Sequence, residues 1–200
     1  DVLHPHEPLV PGACMTACLL KPTPLVGTFH AAGTSASYQY LSPALRWLAS
    51  RLDLRVVVSA EAEALAVEHL GGTYEHLFNG IEVDRFAKAE PWPTEGRTIF
   101  FLGRHEPRKG LDVLLAALPA LPADVTVWIG SDGPDTEELK VRHAGDPRLV
   151  WLGRLSDPEK RRRLRAADVF CAPSLRGESF GVVLLEAMAA QFSLVGMSQL

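Results

Sequence analysis

The stretch LRGESFGVVLLEAMAA, residues 175–190, sets two carboxylates, Glu178 and Glu186, eight positions apart in a pattern that otherwise reads as a buried helix. At about 100° per residue, a helix running through both would hold them roughly 80° apart in projection and about 12 Å apart along the axis. They cannot share one proton, so each acid needs its own partner. Glu178 is expected at the helix start, where the positive end of the dipole favours an acid and the N–H groups of Ser179, Phe180 and Gly181 can receive an anion. Glu186 lies among Leu184, Leu185, Ala187 and Met188. A carboxylate there is costly unless something donates to it, and the vicinal hydroxyls of a ribose are suitable donors.

A second constellation is FLGRHEPRKGLDVLLAAL, in which an apolar strand ends at Gly103, a short loop carries Arg104, Arg108 and Lys109, and a helix follows from about Gly110. Three cations at that place suit a diphosphate. Arg offers a planar fork and Lys a point charge, and both can neutralise charge on a departing phosphate. WIGSDGP, residues 128–134, repeats the strand-then-turn pattern, and Gly130 and Gly133 permit a close backbone approach. In GRLSDPEKRRRLRAAD, Ser156 followed by Pro158 and Glu159 makes a capping-box start. The cations Lys160, Arg161, Arg162, Arg163 and Arg165 then read most simply as a solvated face, with Lys160 nearest the strand end.

These groups need a scaffold that delivers them to one edge. Apolar runs at 24–29, 55–59, 98–103, 125–130, 149–153 and 169–173 alternate with amphipathic segments. Strands apolar on both faces and separated by helices predict an α/β chain with parallel sheets covered on both sides. DRFAKAEPWPTEGR, residues 84–97, breaks the alternation with two prolines around a Trp and no periodicity, which predicts an interdomain connection near residue 90. The expected domains are therefore 1–90 and 91–200, two incomplete Rossmann-like units facing across a cleft, with ligands outside the carboxyl ends of the strands.

At 200 residues, 47% hydrophobic and 22% charged, the chain is long enough to bury a core. Its net charge of -4 argues against wholesale nucleic-acid binding. Cys14, Cys18 and Cys171 have no metal-ligand spacing and read as reduced packing thiols, which fits a cytoplasmic protein. No apolar run approaches the ~18 residues of a membrane span. The chain opens on DVLHPHEP without an initiator Met or a convincing first strand and closes on GMSQL, so it reads as a fragment. No G-x-G-x-x-G follows a first strand, which disfavours a nicotinamide-dependent enzyme.

Taken together, HEP (6–8), TFHAAG (28–33), FNGIEVDRF (78–86), FLGRHEPRKG, GSDGP and ADVFCAPSLRGESFGVVLLEAMAA resemble the retaining glycosyltransferases of the GT4 type, which have the GT-B fold. The most specific part is E-x7-E, from Glu178 to Glu186. Within that family the chain is most similar to the actinobacterial phosphatidyl-myo-inositol mannosyltransferases. The resemblance implies an acceptor domain first and a nucleotide-sugar donor domain second. It implies mannosyl transfer from GDP-mannose to a phosphatidylinositol-type lipid, on the inner face of the plasma membrane, by a peripheral protein without a tightly bound cofactor. It leaves a divalent cation open. By the same resemblance Arg104 and Lys109 bind the donor diphosphate, Glu178 contacts the transferred sugar, Glu186 holds the ribose, and Leu155, Asp157 and Lys160 border the guanine. His30, ending the first clear strand, would meet the sugar or leaving phosphate. Where the family continues with Gly-Thr-Pro and a strand, this sequence has QFSLVGMSQL, which leaves the following strand unsupported. Two alternatives stand beside this reading: a GT4 enzyme using a UDP-sugar, and a nucleotide-binding module without activity.

Overall fold

The computed structural model describes residues 1–31, 42–175, 181–190 and 193–196. They form two compact units that divide between Gly80 and Ile81. This division precedes the expected connection near 90, for a packing reason. Helix Val83–Ala87 buries Phe86 in the second unit's core with Phe100, Leu164 and Phe170. Trp92 then donates its backbone N–H to Arg162 O at 3.0 Å.

The first unit contains a parallel three-stranded sheet in the order β1 (Val26–Phe29), β2 (Leu54–Val57) and β3 (Glu75–His76). Helices Ala13–Leu20, Ser42–Ser50 and Ala60–Leu70 accompany it. The opening residues have more order than their sequence suggests, with parallel bridges Leu3–Leu25 and His6–Thr28 along β1. Pro5 has no N–H to extend that ladder, but its carbonyl accepts from Thr28 N at 3.1 Å. Leu25, Phe29, Val57, Val58 and Leu65 lie in the unit's apolar core.

Among the described residues the second unit has five parallel strands, β4 (Thr98–Leu102), β5 (Thr126–Gly130), β6 (Leu149–Gly153), β7 (Val169–Ala172) and β8 (Ser193–Gly196), in the spatial order β6-β5-β4-β7-β8. This is the 3-2-1-4-5 order of a Rossmann-like sheet, whose direction of winding reverses between β4 and β7. β8 forms despite the divergent sequence around it, pairing with β7 from Ser193 opposite Val169 to Gly196 opposite Ala172. Main-chain bonding to an existing edge supplies what the missing Gly and Pro would have signalled.

Alternation along β4 sends neighbouring rings to opposite faces. Phe101 packs with Leu111, Leu114, Leu115 and Ile129, while Phe100 packs with Trp128, Leu164, Phe170 and Ala187. Both faces of the sheet are therefore covered, as parallel strands require. Helix Asp157–Ala166 starts as its sequence predicts, with the Ser156 side chain accepting from Glu159 N at 3.4 Å. Its basic run is not uniformly solvated. Arg163 is only 8% exposed, with its guanidinium carbon 4.3 Å from the Trp92 ring centre and 4.7 Å from that of Trp128. Glu159 Oε1 accepts from its Nε at 2.8 Å, so the buried charge is both paired and stacked.

Candidate functional site

A Rossmann-like sheet places its ligand outside the carboxyl ends of the strands, at the point where the strand order reverses. In the second unit that point lies between β4 and β7. The loop after β4 is residues 103–110, and it bears the three cations. Pro107–Lys109 form one 3-10 turn, closed by Lys109 N–H to Glu106 O at 3.0 Å and Gly110 N–H to Pro107 O at 3.1 Å. Arg108 and Arg104 converge on one carboxylate: Arg108 Nε is 2.7 Å from Glu106 Oε1, and Arg104 Nε is 3.6 Å from Glu106 Oε2. The Arg108 contact is ionic without an aligned hydrogen bond, because Oε1 is buried and accepts none. Glu106 thus gathers the two guanidinium groups, and Arg104 remains two-thirds exposed to solvent.

The loop after β7 meets this one through the backbone. Leu175 N–H donates to Arg108 O at 2.8 Å, and Gly110, at φ +70°, leaves no room for a Cβ beside the Pro173 carbonyl. The cationic loop is therefore fixed against the start of the segment that leads to Glu178. Arg176 to Phe180 lie outside the described residues, and with them the expectations for Glu178, Ser179 and Phe180. Helix Val182–Ala189 begins after them, so the angular relation expected between Glu178 and Glu186 does not describe this helix. Gly181 is its N-cap, at φ 71°, with no capping side chain and no acid in the first turn.

Glu186 does have a donor. Lys160 Nζ stands 2.7 Å from its Oε1, with the carboxylate side chain 13% and the lysine 22% exposed. Lys160 also lies 3.4 Å from Asp157 Oδ1 and 5.7 Å from the centre of the Phe86 ring. Three residues singled out in the sequence, Asp157, Lys160 and Glu186, are thereby one cluster. Lys160 spends its charge on Glu186, and Glu186 Oε2 is the acceptor not engaged by it. Leu155 packs near Gly130 at the end of β5 and belongs to the same apolar cluster as Phe86 and Leu184.

Beside the cationic loop is a cleft of about 1040 Å³, at the upper end of the size of small-molecule sites. Arg104, His105, Asp132, Gly133, Trp151 and Arg154 are among its lining residues. Gly133 is required there, since a Cβ would come within 2.5 Å of the His105 backbone. Ser131 takes φ +81° without being a glycine, and Arg154 Nε reaches Asp132 Oδ2 at 2.8 Å. Sequence reasoning does not single out Arg154, Asp132 or His105, although Asp132 lies in GSDGP and His105 in FLGRHEPRKG; the signal for Arg154 is a basic residue directly after the β6 glycine.

His105 is 1% exposed, under Phe101 and Trp151. Its Nδ1 is 2.8 Å from Thr136 Oγ1, and its Nε2 is 3.3 Å from Gly130 O. Burial pushes its pKa down, against the opposing pull of the Gly130 carbonyl, Asp132 and Asp135, with Lys140 adding to the depression. Because the folded value lies below the unfolded one, near 6.5, the unfolded chain binds more protons in between, and stability falls as pH drops through that interval. Thermal unfolding measured from pH 7.5 to pH 5 is expected to show this loss, and His105→Gln to show a shallower one. Equal pH slopes for the two proteins would remove His105 from the account.

In the first unit His30 follows β1, with Nε2 2.7 Å from His6 Nδ1 and with its backbone N–H donated to Glu7 Oε1 at 2.6 Å. Desolvation lowers its pKa more than Glu7 raises it, and His6 and His4 lower it further. Among the described residues, no three His, Cys, Asp or Glu side chains are arranged to hold a metal ion. No helix among them is long and apolar enough to cross a membrane.

Residues 96–199 match the family described as glycosyl transferases group 1, and residues 1–85 match glycosyltransferase family 4. A phosphatidyl-myo-inositol mannosyltransferase of Mycolicibacterium smegmatis is 44% identical over 98% of this chain and 53% of its own length. One of Propionibacterium freudenreichii is 37% identical over 94% of the chain and 50% of its own. The chain thus spans about half the length of these relatives. Among solved structures, Anabaena HepE in complex with UDP and glucose superposes with a TM-score of 0.74 at 21% identity, over 90% of this chain and 55% of that one. A sucrose-phosphate synthase of Thermosynechococcus elongatus reaches 0.76, also at 21%, over 98% and 55%. At that identity the likeness is one of fold, the GT-B architecture.

Proposed function

Because the chain belongs to the family 4, group 1 glycosyltransferases, we propose that it is part of a retaining enzyme that moves mannose from GDP-mannose to a phosphatidylinositol-type lipid. The observation that carries this reading is the arrangement at the reversal point of the second sheet. A cationic loop follows β4, and the Lys160–Glu186 pair stands on two helices of the same unit. The mannosyltransferase names of the relatives at 37 to 44% identity supply the sugar and the acceptor class.

In this reading Arg104 and Lys109 hold the donor diphosphate, together with the uncapped start of helix Val182–Ala189. Glu186 Oε2 takes the ribose hydroxyls. Asp157, whose side chain is 82% exposed, accepts from guanine N–H groups, with Leu155 against the base. Glu178 and His30 meet the transferred sugar and the leaving phosphate. No enzymatic nucleophile is needed. The bond from the anomeric carbon to the phosphate oxygen breaks as the acceptor hydroxyl adds on the same face, and that hydroxyl's proton passes to the leaving phosphate. The protein supplies orientation and charge stabilisation. A lipid acceptor places the enzyme at an anionic membrane surface as a peripheral protein on the cytoplasmic side.

UDP-sugar transfer is the second reading, favoured by the UDP and glucose bound to Anabaena HepE. The two differ in the base. Uracil lacks the paired N–H donors that guanine turns toward a carboxylate, so GDP is expected to bind on the order of tenfold more tightly than UDP. Calorimetric titration of the intact protein with each nucleotide decides it, and equal or tighter binding of UDP would favour the second reading.

A further inference from the structure

His4 and His6 are two residues apart on the segment that runs beside β1, and Thr28 and His30 are two residues apart along β1 and just beyond it. Period-two alternation sends all four side chains to one face of the pair. There they form two rungs, His4 Nε2 to Thr28 Oγ1 at 2.7 Å and His6 Nδ1 to His30 Nε2 at 2.7 Å. The His6 and His30 ring centres are 5.0 Å apart with planes at 26°. Nitrogens that close between rings so spaced require an edge-to-edge arrangement, which is the direction of an in-plane lone pair. The contact is therefore a hydrogen bond between rings rather than a stack. On the far side, the His4 ring centre lies 4.7 Å from that of His6.

The backbone is held as firmly as the ring. Glu7 takes φ +52°, uncommon for a residue with a side chain, and its Oε1 accepts from both His30 N and Ala31 N at 2.6 Å. Consecutive residues thus anchor His30 twice, Glu7 through the main chain and His6 through the imidazole.

We propose that His6 is the positioning residue for His30: it donates its Nδ1–H to His30 Nε2, so that His30 turns Nδ1–H toward the ligand. The argument is one of counting protons. Partial desolvation lowers the pKa of His30, which favours the neutral ring, and a neutral imidazole carries one N–H. With Nε2 taken up by His6, only Nδ1 remains to meet an oxygen of the leaving phosphate, which accepts and does not donate. An Nδ1 lone pair would repel such an oxygen, whereas an Nδ1–H donates to it. Holding the proton at Nδ1 makes Nε2 the acceptor, and the donor is then His6, whose own Nε2 is left to water because this ring is exposed. The inference rests on the reading that His30 meets the donor substrate.

Side-chain nitrogen NMR of the intact protein reads the tautomer directly. His6→Phe keeps a flat ring beside His4 but removes the donor. It is expected to return His30 to the Nε2–H form that a free imidazole prefers and to lower kcat by on the order of tenfold to a hundredfold, with GDP affinity retained. His6→Asn offers an amide N–H near the position of Nδ1 and is expected to restore both. An unchanged His30 tautomer in His6→Phe, an unchanged kcat, or a folded His6→Asn protein that restores neither would overturn the proposal. A parent protein with no mannosyl transfer would sink the functional reading alone, since the tautomer comparison would still decide whether His6 sets His30.

Discussion

Gly110→Ala is expected to destabilise the second unit by about 2 to 5 kcal/mol, from two effects of separate origin. The first is conformational: at φ +70° an L side chain costs about 1–2 kcal/mol. The second is a collision, because a Cβ at this position would stand 2.0 Å from the Pro173 carbonyl oxygen and 2.8 Å from its carbon. A main-chain carbonyl cannot swing aside as a side chain can, so one of the two loops must move. Gly145→Ala isolates the first effect, since φ there is +88° and nothing lies within 4 Å of the added atom. Denaturant midpoints of both variants separate the terms. If Gly110→Ala is no more costly than Gly145→Ala, the loops after β4 and β7 do not meet as described. A functional readout accompanies it. Moving the 103–110 loop from Leu175 displaces Arg104 and Lys109, so the folded fraction of Gly110→Ala is expected to bind GDP less tightly than the parent.

That close approach was invisible in the sequence, although both of its ends were conspicuous. FLGRHEPRKG announced a strand, a cationic loop and a helix, because apolar periodicity and glycine punctuation are local signals. Pro173 marked the end of a strand for the same reason. That these two places touch depends on the sheet order β6-β5-β4-β7-β8, which seats β4 beside β7 across some seventy intervening residues. The same limit explains the basic run in helix Asp157–Ala166. Composition suggested a solvated face, yet Arg163 points between Trp92 and Trp128, and Trp92 comes from the stretch that read as a free connection. Aromatic residues flanking a connection are indistinguishable in sequence from aromatic residues that cover a neighbouring helix. The strand Ser193–Gly196 was missed for another reason, since its order comes from an edge already offered by β7. His6 was legible only as part of a motif; its pairing with His30 required the parallel bridge to Thr28.

The acid in the apolar helix provides the sharpest separation between packing and binding. Glu186→Gln removes the charge but keeps the shape. It is expected to weaken GDP binding by about 1.5 to 3 kcal/mol, roughly 10- to 150-fold, the range for hydrogen bonds made to a charged group. Taken alone that loss is ambiguous, because the same change breaks the 2.7 Å contact with Lys160 and could act through the fold. Lys160→Met tests the other half. It strands a carboxylate that is only 13% exposed, at a cost to stability of about 1 to 3 kcal/mol. The double variant Lys160→Met with Glu186→Leu resolves the two roles. An ion pair with little exposure can be exchanged for apolar side chains of similar volume with little or no loss of stability. Phe86 and Leu164 lie in the cluster that would receive them. Such a protein is expected to unfold at or above the denaturant concentration of either single variant, while still binding GDP as weakly as Glu186→Gln. A double variant that regained nucleotide affinity along with its stability would show that the pair only holds two helices together, and the ribose would then need another partner.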